Sequence, residues 1–169
     1  MSHRITIIEN FISEDDANSI IDFIELNSTQ LKESFYGLFF SNNDIIKKYS
    51  LISINSHKNI NEYYDEIYTY SASGAKWTKG SFGELHTDTN NAPWVEWSTI
   101  IYLNDDFSGG TLNFPHQRFM YKPKKYSAIL FPSSGTEYNH SISKVIGGNR
   151  YTVLYMHTSI KENADPNFL

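Results

Sequence analysis

The chain contains no cysteine in its 169 residues. Disulfides, thiolate zinc sites, iron–sulfur clusters and cysteine nucleophiles are therefore excluded, and any metal ion must be held by His, Asp or Glu. Positive charge is also short. The 14 Lys and Arg residues face 19 Asp and Glu, leaving a formal net charge of −5. That balance offers no electrostatic footprint for nucleic acid or for an acidic membrane surface. The densest basic run, Lys122-Pro123-Lys124-Lys125, reads as a solvated turn between strands. Long hydrophobic runs are missing too: none approaches the roughly 18 apolar residues of a membrane span, and the N-terminus lacks the apolar core of a signal peptide. The expectation is a soluble protein in a reducing, cytoplasmic setting, without nucleic-acid or membrane partners.

Aromatic residues are what the chain has in excess. They make up 15% of it, chiefly 12 Tyr and 11 Phe, and such side chains favour strands and line ligand pockets. The length suits one domain. Ser13 ahead of Glu14, Asp15 and Asp16 is a good N-cap with acidic residues in the first turn. Ala17, Ile20, Ile21 and Ile24 follow at helical spacing, which predicts a helix over 14–26. A second helix is predicted around 59–70 from the stripe Ile60, Tyr63, Tyr64, Ile67 and Tyr68, and a shorter one over 44–49. From Lys76 onward short β-rich runs alternate with turn residues such as Ser108-Gly109-Gly110 and Gly147-Gly148-Asn149. The expected fold is mainly β, a double-stranded β-helix (jelly roll) with N-terminal helices packed on its major sheet. We expect one domain over 1–169, with helical support over 1–75 and a jelly-roll catalytic core over 76–160. No internal repeat, linker or low-complexity segment interrupts it.

Of the six histidines, His86 stands out because Asp88 follows at strand spacing. Residues i and i+2 of a strand project on one face, so an imidazole and a carboxylate there can reach one ion. Alone, such a pair is a common coincidence. Here His140 lies downstream on a strand that a jelly roll could bring alongside, and two His with one carboxylate make the facial triad of non-haem Fe(II) oxygenases. Arg150 opens the apolar strand beyond the Gly147-Gly148 turn. A buried guanidinium is costly unless paired, and a distal carboxylate of a co-substrate would pair it as a fork. Thr152 shares the face of Arg150 by strand alternation, and Ser98 is the candidate for a third contact. His157 has the opposite parity and should face away from the co-substrate. His3, His57 and His116 read as surface residues, Glu84 as a solvent-facing strand residue, and Trp94 and Trp97 as core or as a substrate-covering lid.

These residues bear a family resemblance. His86-Thr87-Asp88, His140 and the Arg150-Tyr151-Thr152 run resemble the 2-oxoglutarate/Fe(II)-dependent dioxygenases, and most closely their prolyl 4-hydroxylase-like branch. Gly80, the Ile101-Tyr102-Leu103-Asn104-Asp105 segment with Gly109-Gly110, Phe114-Pro115, Pro123, Phe131 and Val145–Gly148 fall in the family's order. The resemblance implies that His86, Asp88 and His140 bind Fe(II), that Arg150 binds 2-oxoglutarate, and that O2 is the oxidant with ascorbate as a supporting reductant. It implies hydroxylation of a peptide or protein residue, proline foremost, with release of succinate and CO2. Some positions depart from the pattern. Trp77 replaces the lead-in tyrosine that often contacts the co-substrate, Gly83 replaces a second tyrosine, and Arg150 stands where many prolyl hydroxylases have lysine. These departures leave open a non-prolyl side chain or small metabolite as substrate, and a non-catalytic metal-binding jelly roll is the alternative of a different class. Met156 occupies the place of the second arginine in the nucleic-acid demethylase branch, and Asp88 disfavours a halogenase.

Overall fold

The computed structural model describes residues 5–27, 38–39, 42–60, 66–90 and 92–169, with only the backbone described at 38–39. The chain runs β1 (Thr6–Ile8), α1 (Glu14–Leu26), β2 (Leu38–Phe39), α2 (Asp44–Ile60), β3 (Tyr68–Trp77), β4 (Gly83–His86), β5 (Trp97–Tyr102), β6 (Ser108–Gly109), β7 (Leu112–Phe114), β8 (Phe119–Tyr121), β9 (Ala128–Pro132), β10 (His140–Ile142), β11 (Val145–Gly147) and β12 (Arg150–Thr158). All strand pairings among the described residues are antiparallel. One sheet is ordered β1-β9-β5-β12-β3-β2, a smaller one β4-β10-β7-β8, and β11 pairs with β6.

Alternation along β12 divides the molecule into two cores. Thr152, Leu154 and Met156 sit opposite Tyr102, Ile100 and Ser98 of β5. With Trp77, these residues look toward the small sheet, where Ile100, Tyr102, Leu112, Phe114, Tyr121, Ile129, Phe131 and Ile142 form one apolar cluster. The intervening Tyr151, Val153 and Tyr155 belong to a second cluster. It includes Ala17, Ile20 and Ile24 of α1 and Ile46 and Tyr49 of α2.

The first helix forms as its sequence dictates: Ser13 Oγ accepts the Asp16 amide at 3.2 Å, and the buried positions keep helical spacing. The second helix differs from expectation. It covers Asp44–Ile60, capped by Asn43 Oδ1 accepting from the amides of Ile45 and Ile46 at 2.9 and 3.1 Å. The expected helix at 59–70 is replaced from Tyr68 by strand β3, while 61–65 lie outside the described residues. The physical reason is polar burial. The inner face of α2 carries Ser50, Ser53 and His57, which are buried, so an apolar count loses the helix after its first turns. Conversely, β3 is rich in Ser, Ala and Gly and lacks the β-branched signature of a strand.

His57 therefore corrects the surface reading: it is only 1% exposed. Its Nε2 lies 2.9 Å from Thr99 Oγ1, Ser53 Oγ lies 2.6 Å from Thr99 Oγ1 and 2.8 Å from His157 Nε2, and Thr69 with Ser50 completes the network. His157 faces this network on the helix side, away from Arg150, as its parity requires. Burial drives the His57 pKa down to about 3 and that of His157 well below its ordinary value, so both imidazoles are neutral links between α2 and the large sheet. His3 lies outside the described residues. No helix among the described residues is long and apolar enough to cross a membrane.

Candidate metal and co-substrate site

Strand pairing assembles the site. β4 and β10 are neighbours with His86 directly opposite His140, so two histidines distant in sequence sit with ring centroids 4.4 Å apart. Asp88 follows β4 by two residues and turns inward. One oxygen, Oδ1, lies 3.5 Å from His86 Nε2 and 3.6 Å from His140 Nε2. The ligand atoms of these three residues all lie within 4.8 Å of one another, and no other such group is found among the described residues.

The imidazoles are oriented alike. His86 Nδ1 is 2.8 Å from the Glu84 carbonyl, and His140 Nδ1 is 3.1 Å from the Tyr138 carbonyl. A carbonyl can only accept, so each Nδ1 carries the proton and each Nε2 presents a lone pair to the space beside Asp88. Phe131 and Phe114 flank His140, with centroids at 5.0 and 5.4 Å. Burial holds the His140 pKa low, while the Asp88 carboxylate favours the protonated form of His86 and raises its pKa; a metal ion at Nε2 would take the place of that second proton. Burial also pushes the Asp88 carboxyl upward, but His86, His140 and the Ser98 hydroxyl together outweigh it and keep the group below its ordinary value. A neutral imidazole pair with one carboxylate is a donor set for a divalent first-row metal.

Arg150 lies on the same inner face, at the opposite end of β12 from Met156. Its side chain is 1% exposed, and none of its guanidinium nitrogens has a hydrogen-bond partner. Aromatic faces stand in for a counter-ion: the guanidinium carbon is 5.1 Å from the ring centres of both Trp77 and Tyr102. Burial lowers the Arg150 pKa, yet arginine remains a cation. A fully buried cation with three idle nitrogens calls for a buried anion. The Tyr102 hydroxyl is likewise buried and meets no hydrogen-bond acceptor; it stands beside the Arg150 guanidinium, and burial pushes its pKa up to about 12, so it stays protonated and able to donate. Thr152 is buried beside them. Its Oγ1 accepts the Trp77 indole N–H at 3.4 Å, which leaves the threonine proton free to point elsewhere.

Glycine makes the room. Gly110 has φ +64°, and a Cβ there would lie 2.9 Å from Arg150 Cδ and 3.1 Å from the Phe107 ring.

A family model of the 2OG-Fe(II) oxygenase superfamily matches residues 71–156. The chain belongs to this superfamily. Its cofactors are Fe(II), 2-oxoglutarate and O2, and the residues present suit them: an N,N,O donor set without thiolates, and a buried guanidinium lacking an anion. The viral collagen prolyl hydroxylase vCPH from Paramecium Bursaria Chlorella virus-1, solved as a 2OG complex, superposes with a TM-score of 0.81 at 17% identity, covering 95% of this chain and 98% of its own. A Pseudomonas putida prolyl-4-hydroxylase superposes with a TM-score of 0.73 at 15% identity, over 93% of each chain. These likenesses establish a shared mainly β oxygenase fold. No curated protein matches the chain in sequence.

The residues singled out in the sequence fall into two groups. His86, Asp88 and His140 meet at one point, and Arg150, Thr152 and Trp77 meet at the other end of the inner face. Ser98 is engaged differently from expectation: its hydroxyl donates to Asp88 Oδ2 at 2.6 Å, behind the carboxylate. Glu84 lends its backbone carbonyl to His86 while its side chain is exposed, and His116 is exposed. Trp97 is core, packed with Ile54 and Ile67. Trp94 stands edge-on to Tyr70 with centroids 5.6 Å apart. The residue missed was Tyr102. Its signal was available in the sequence, since it shares strand parity with Ser98.

Proposed function

We propose that residues 1–169 act as a single oxygenase domain that hydroxylates a peptide or protein residue, with proline as the target. His86, Asp88 and His140 would hold Fe(II), each histidine through Nε2 and Asp88 through Oδ1. The Arg150 guanidinium, the Tyr102 hydroxyl and the Thr152 hydroxyl would bind the distal carboxylate of 2-oxoglutarate. When bound, the metal and 2-oxoglutarate supply the activation of O2 for C–H oxidation, with release of succinate and CO2.

The observation that carries the reading is the unpaired Arg150 guanidinium buried in the same core that presents the His86-Asp88-His140 cluster. The chain's own contributions follow from its geometry. The Glu84 and Tyr138 carbonyls hold the Nδ1 protons, so both histidines keep the tautomer that binds metal. The Trp77 and Tyr102 rings pack against the guanidinium, each with its centre 5.1 Å from the guanidinium carbon, and hold it before any anion arrives, which lowers the ordering cost of binding. Phe114 and Phe131 keep water from the inner side of His140. The proline target is supported by the extent of the likeness to the viral and bacterial prolyl hydroxylases, which runs over nearly the whole chain.

The test is incubation with Fe(II), 2-oxoglutarate, ascorbate and proline-containing peptides, read by mass spectrometry. We expect a gain of one oxygen atom located on proline and absent when that proline is replaced by alanine. Oxygen gained on another residue, or succinate formed with every peptide unchanged, would overturn the proline assignment.

A further inference from the structure

Asp88 has two carboxylate oxygens, and only one of them faces the histidines. The other, Oδ2, is tied from behind. Ser98 Oγ lies 2.6 Å from Asp88 Oδ2 and also 2.6 Å from Ser133 Oγ. Ser98 is 0% exposed and Ser133 2%, so water does not complete these bonds. The proton count fixes the direction. Between a hydroxyl and a carboxylate oxygen the hydroxyl donates, so the single Ser98 proton is committed to Asp88. The Ser98 oxygen must then accept, and Ser133 donates to it.

Ser133 in turn is held by its backbone. Its carbonyl accepts the Thr87 hydroxyl at 2.9 Å, and its amide donates to the Glu96 carbonyl at 2.8 Å. Ser98 is the second residue of β5, paired with Met156 on one side and Phe131 on the other. The donors are thus fixed to three neighbouring strands of the large sheet, while Asp88 lies on the turn after β4 of the small one.

Resting on the metal reading above, we propose that Ser98, polarised by Ser133, is a positioning residue that makes Asp88 a one-oxygen ligand. Chained hydroxyl donors strengthen one another in a dry interior, and a charge-assisted bond at this distance anchors the carboxylate rotamer. With Oδ2 held, Asp88 occupies a single coordination position through Oδ1. The positions that a bidentate carboxylate would consume stay open for co-substrate and oxygen. The sequence hinted at Ser98 only as a co-substrate contact; the geometry assigns it to the ligand instead.

The experiment uses Mn(II) alone as the probe, titrated into metal-free full-length protein and followed by loss of the free Mn(II) resonance. Such titrations need no turnover. Outer-shell changes of this kind weaken metal binding by roughly 10–100-fold, and we expect Ser98→Ala to fall in that range. Ser133→Ala should weaken binding less. Ser98→Ala/Ser133→Ala should match Ser98→Ala within about 2-fold, the ordinary error of additivity, because Ser133 acts only through Ser98. Ser98→Cys preserves the packing with a weak donor and should resemble Ser98→Ala, so it reads the relay even if the alanine variant loses its fold.

A merely structural hydroxyl would lower thermal stability and leave Mn(II) affinity at the wild-type value. If Asp88→Ala abolishes Mn(II) binding while Ser98→Ala and Ser98→Cys leave it unchanged, the relay is wrong and the metal site stands. Fully additive losses in the double variant overturn the chain from Ser133 to Ser98. Wild-type protein that fails to take up Mn(II) overturns the metal site itself, and the relay falls with it.

Discussion

Replacing Arg150 by methionine should stabilise the ligand-free protein while removing its response to 2-oxoglutarate. The guanidinium is 1% exposed and has no hydrogen-bond partner for any of its nitrogens. An uncompensated buried charge costs about 3–5 kcal/mol. Two aromatic faces at 5.1 Å offset part of this, at about 1 kcal/mol or somewhat more each in a dry site. The residue left over is about 2 kcal/mol of native-state destabilisation. Methionine keeps the length of the aliphatic stem and fills irregular space without a charge. For a chain of this size each kcal/mol moves Tm by about 2–4 °C, so Arg150→Met should melt roughly 4–8 °C above wild type without ligand. Saturating 2-oxoglutarate with Mn(II) should reverse the order. At about 100 times Kd a ligand adds about 2.7 kcal/mol to a protein that binds it, and only wild type would have the Arg150 guanidinium to hold the distal carboxylate. The assay is a thermal melt of both proteins with Mn(II), with and without 2-oxoglutarate. A variant that melts below wild type without ligand, or one that still gains stability from 2-oxoglutarate, would refute the assignment of an unpaired guanidinium waiting for a carboxylate.

The neutral histidine network between α2 and the large sheet makes the fold acid-sensitive. His57 has its pKa driven down to about 3 by burial, and His157 moves the same way. Below pH 6.5 the unfolded chain binds protons that the native state refuses, so stability is present in full above that pH and is lost as pH falls toward 3. For His57 the loss is about 1.4 kcal/mol per pH unit in that window, or roughly 2 kcal/mol by pH 5, and His157 acts in the same direction. Denaturant unfolding at pH 7 and pH 5 checks this, and His57→Gln, which keeps a neutral hydrogen-bonding group, should flatten the slope. Equal stability at the two pH values would contradict neutral burial. Gly110→Ala should raise the 2-oxoglutarate concentration needed for half-maximal turnover, because its φ of +64° is strained for alanine and its Cβ would press on Arg150 at 2.9 Å. An unchanged requirement would mean that the guanidinium does not need the space above Gly110.

Much of the site was legible because strand geometry is periodic. The i, i+2 spacing of His86 and Asp88 places two side chains able to ligate a metal together, and parity along β12 puts Arg150 and Thr152 on one face and His157 on the other. Helix α1 was equally plain, since its cap and apolar stripe agree. Helix α2 was not, because Ser50, Ser53 and His57 occupy its buried face, and a polar network inside a core erases the apolar pattern on which a helix is recognised. Strand β3 was hidden for the complementary reason, since its Ser, Ala and Gly residues fit beside other elements without a hydrophobic signature. The environment of Ser98 could not be read from spacing at all. Its partner Ser133 directly follows the neighbouring strand β9, and only the register of β5 against β9 brings the two hydroxyls together.

In the proposed function, His86, Asp88 and His140 form the iron site of this 2-oxoglutarate-dependent oxygenase. The most direct test is succinate release by the purified protein supplied with Fe(II), ascorbate and 2-oxoglutarate, beside Asp88→Ala under the same conditions. Wild type should release succinate, and the variant none above background. Equal release from both proteins, or none from iron-loaded wild type, would contradict that site assignment.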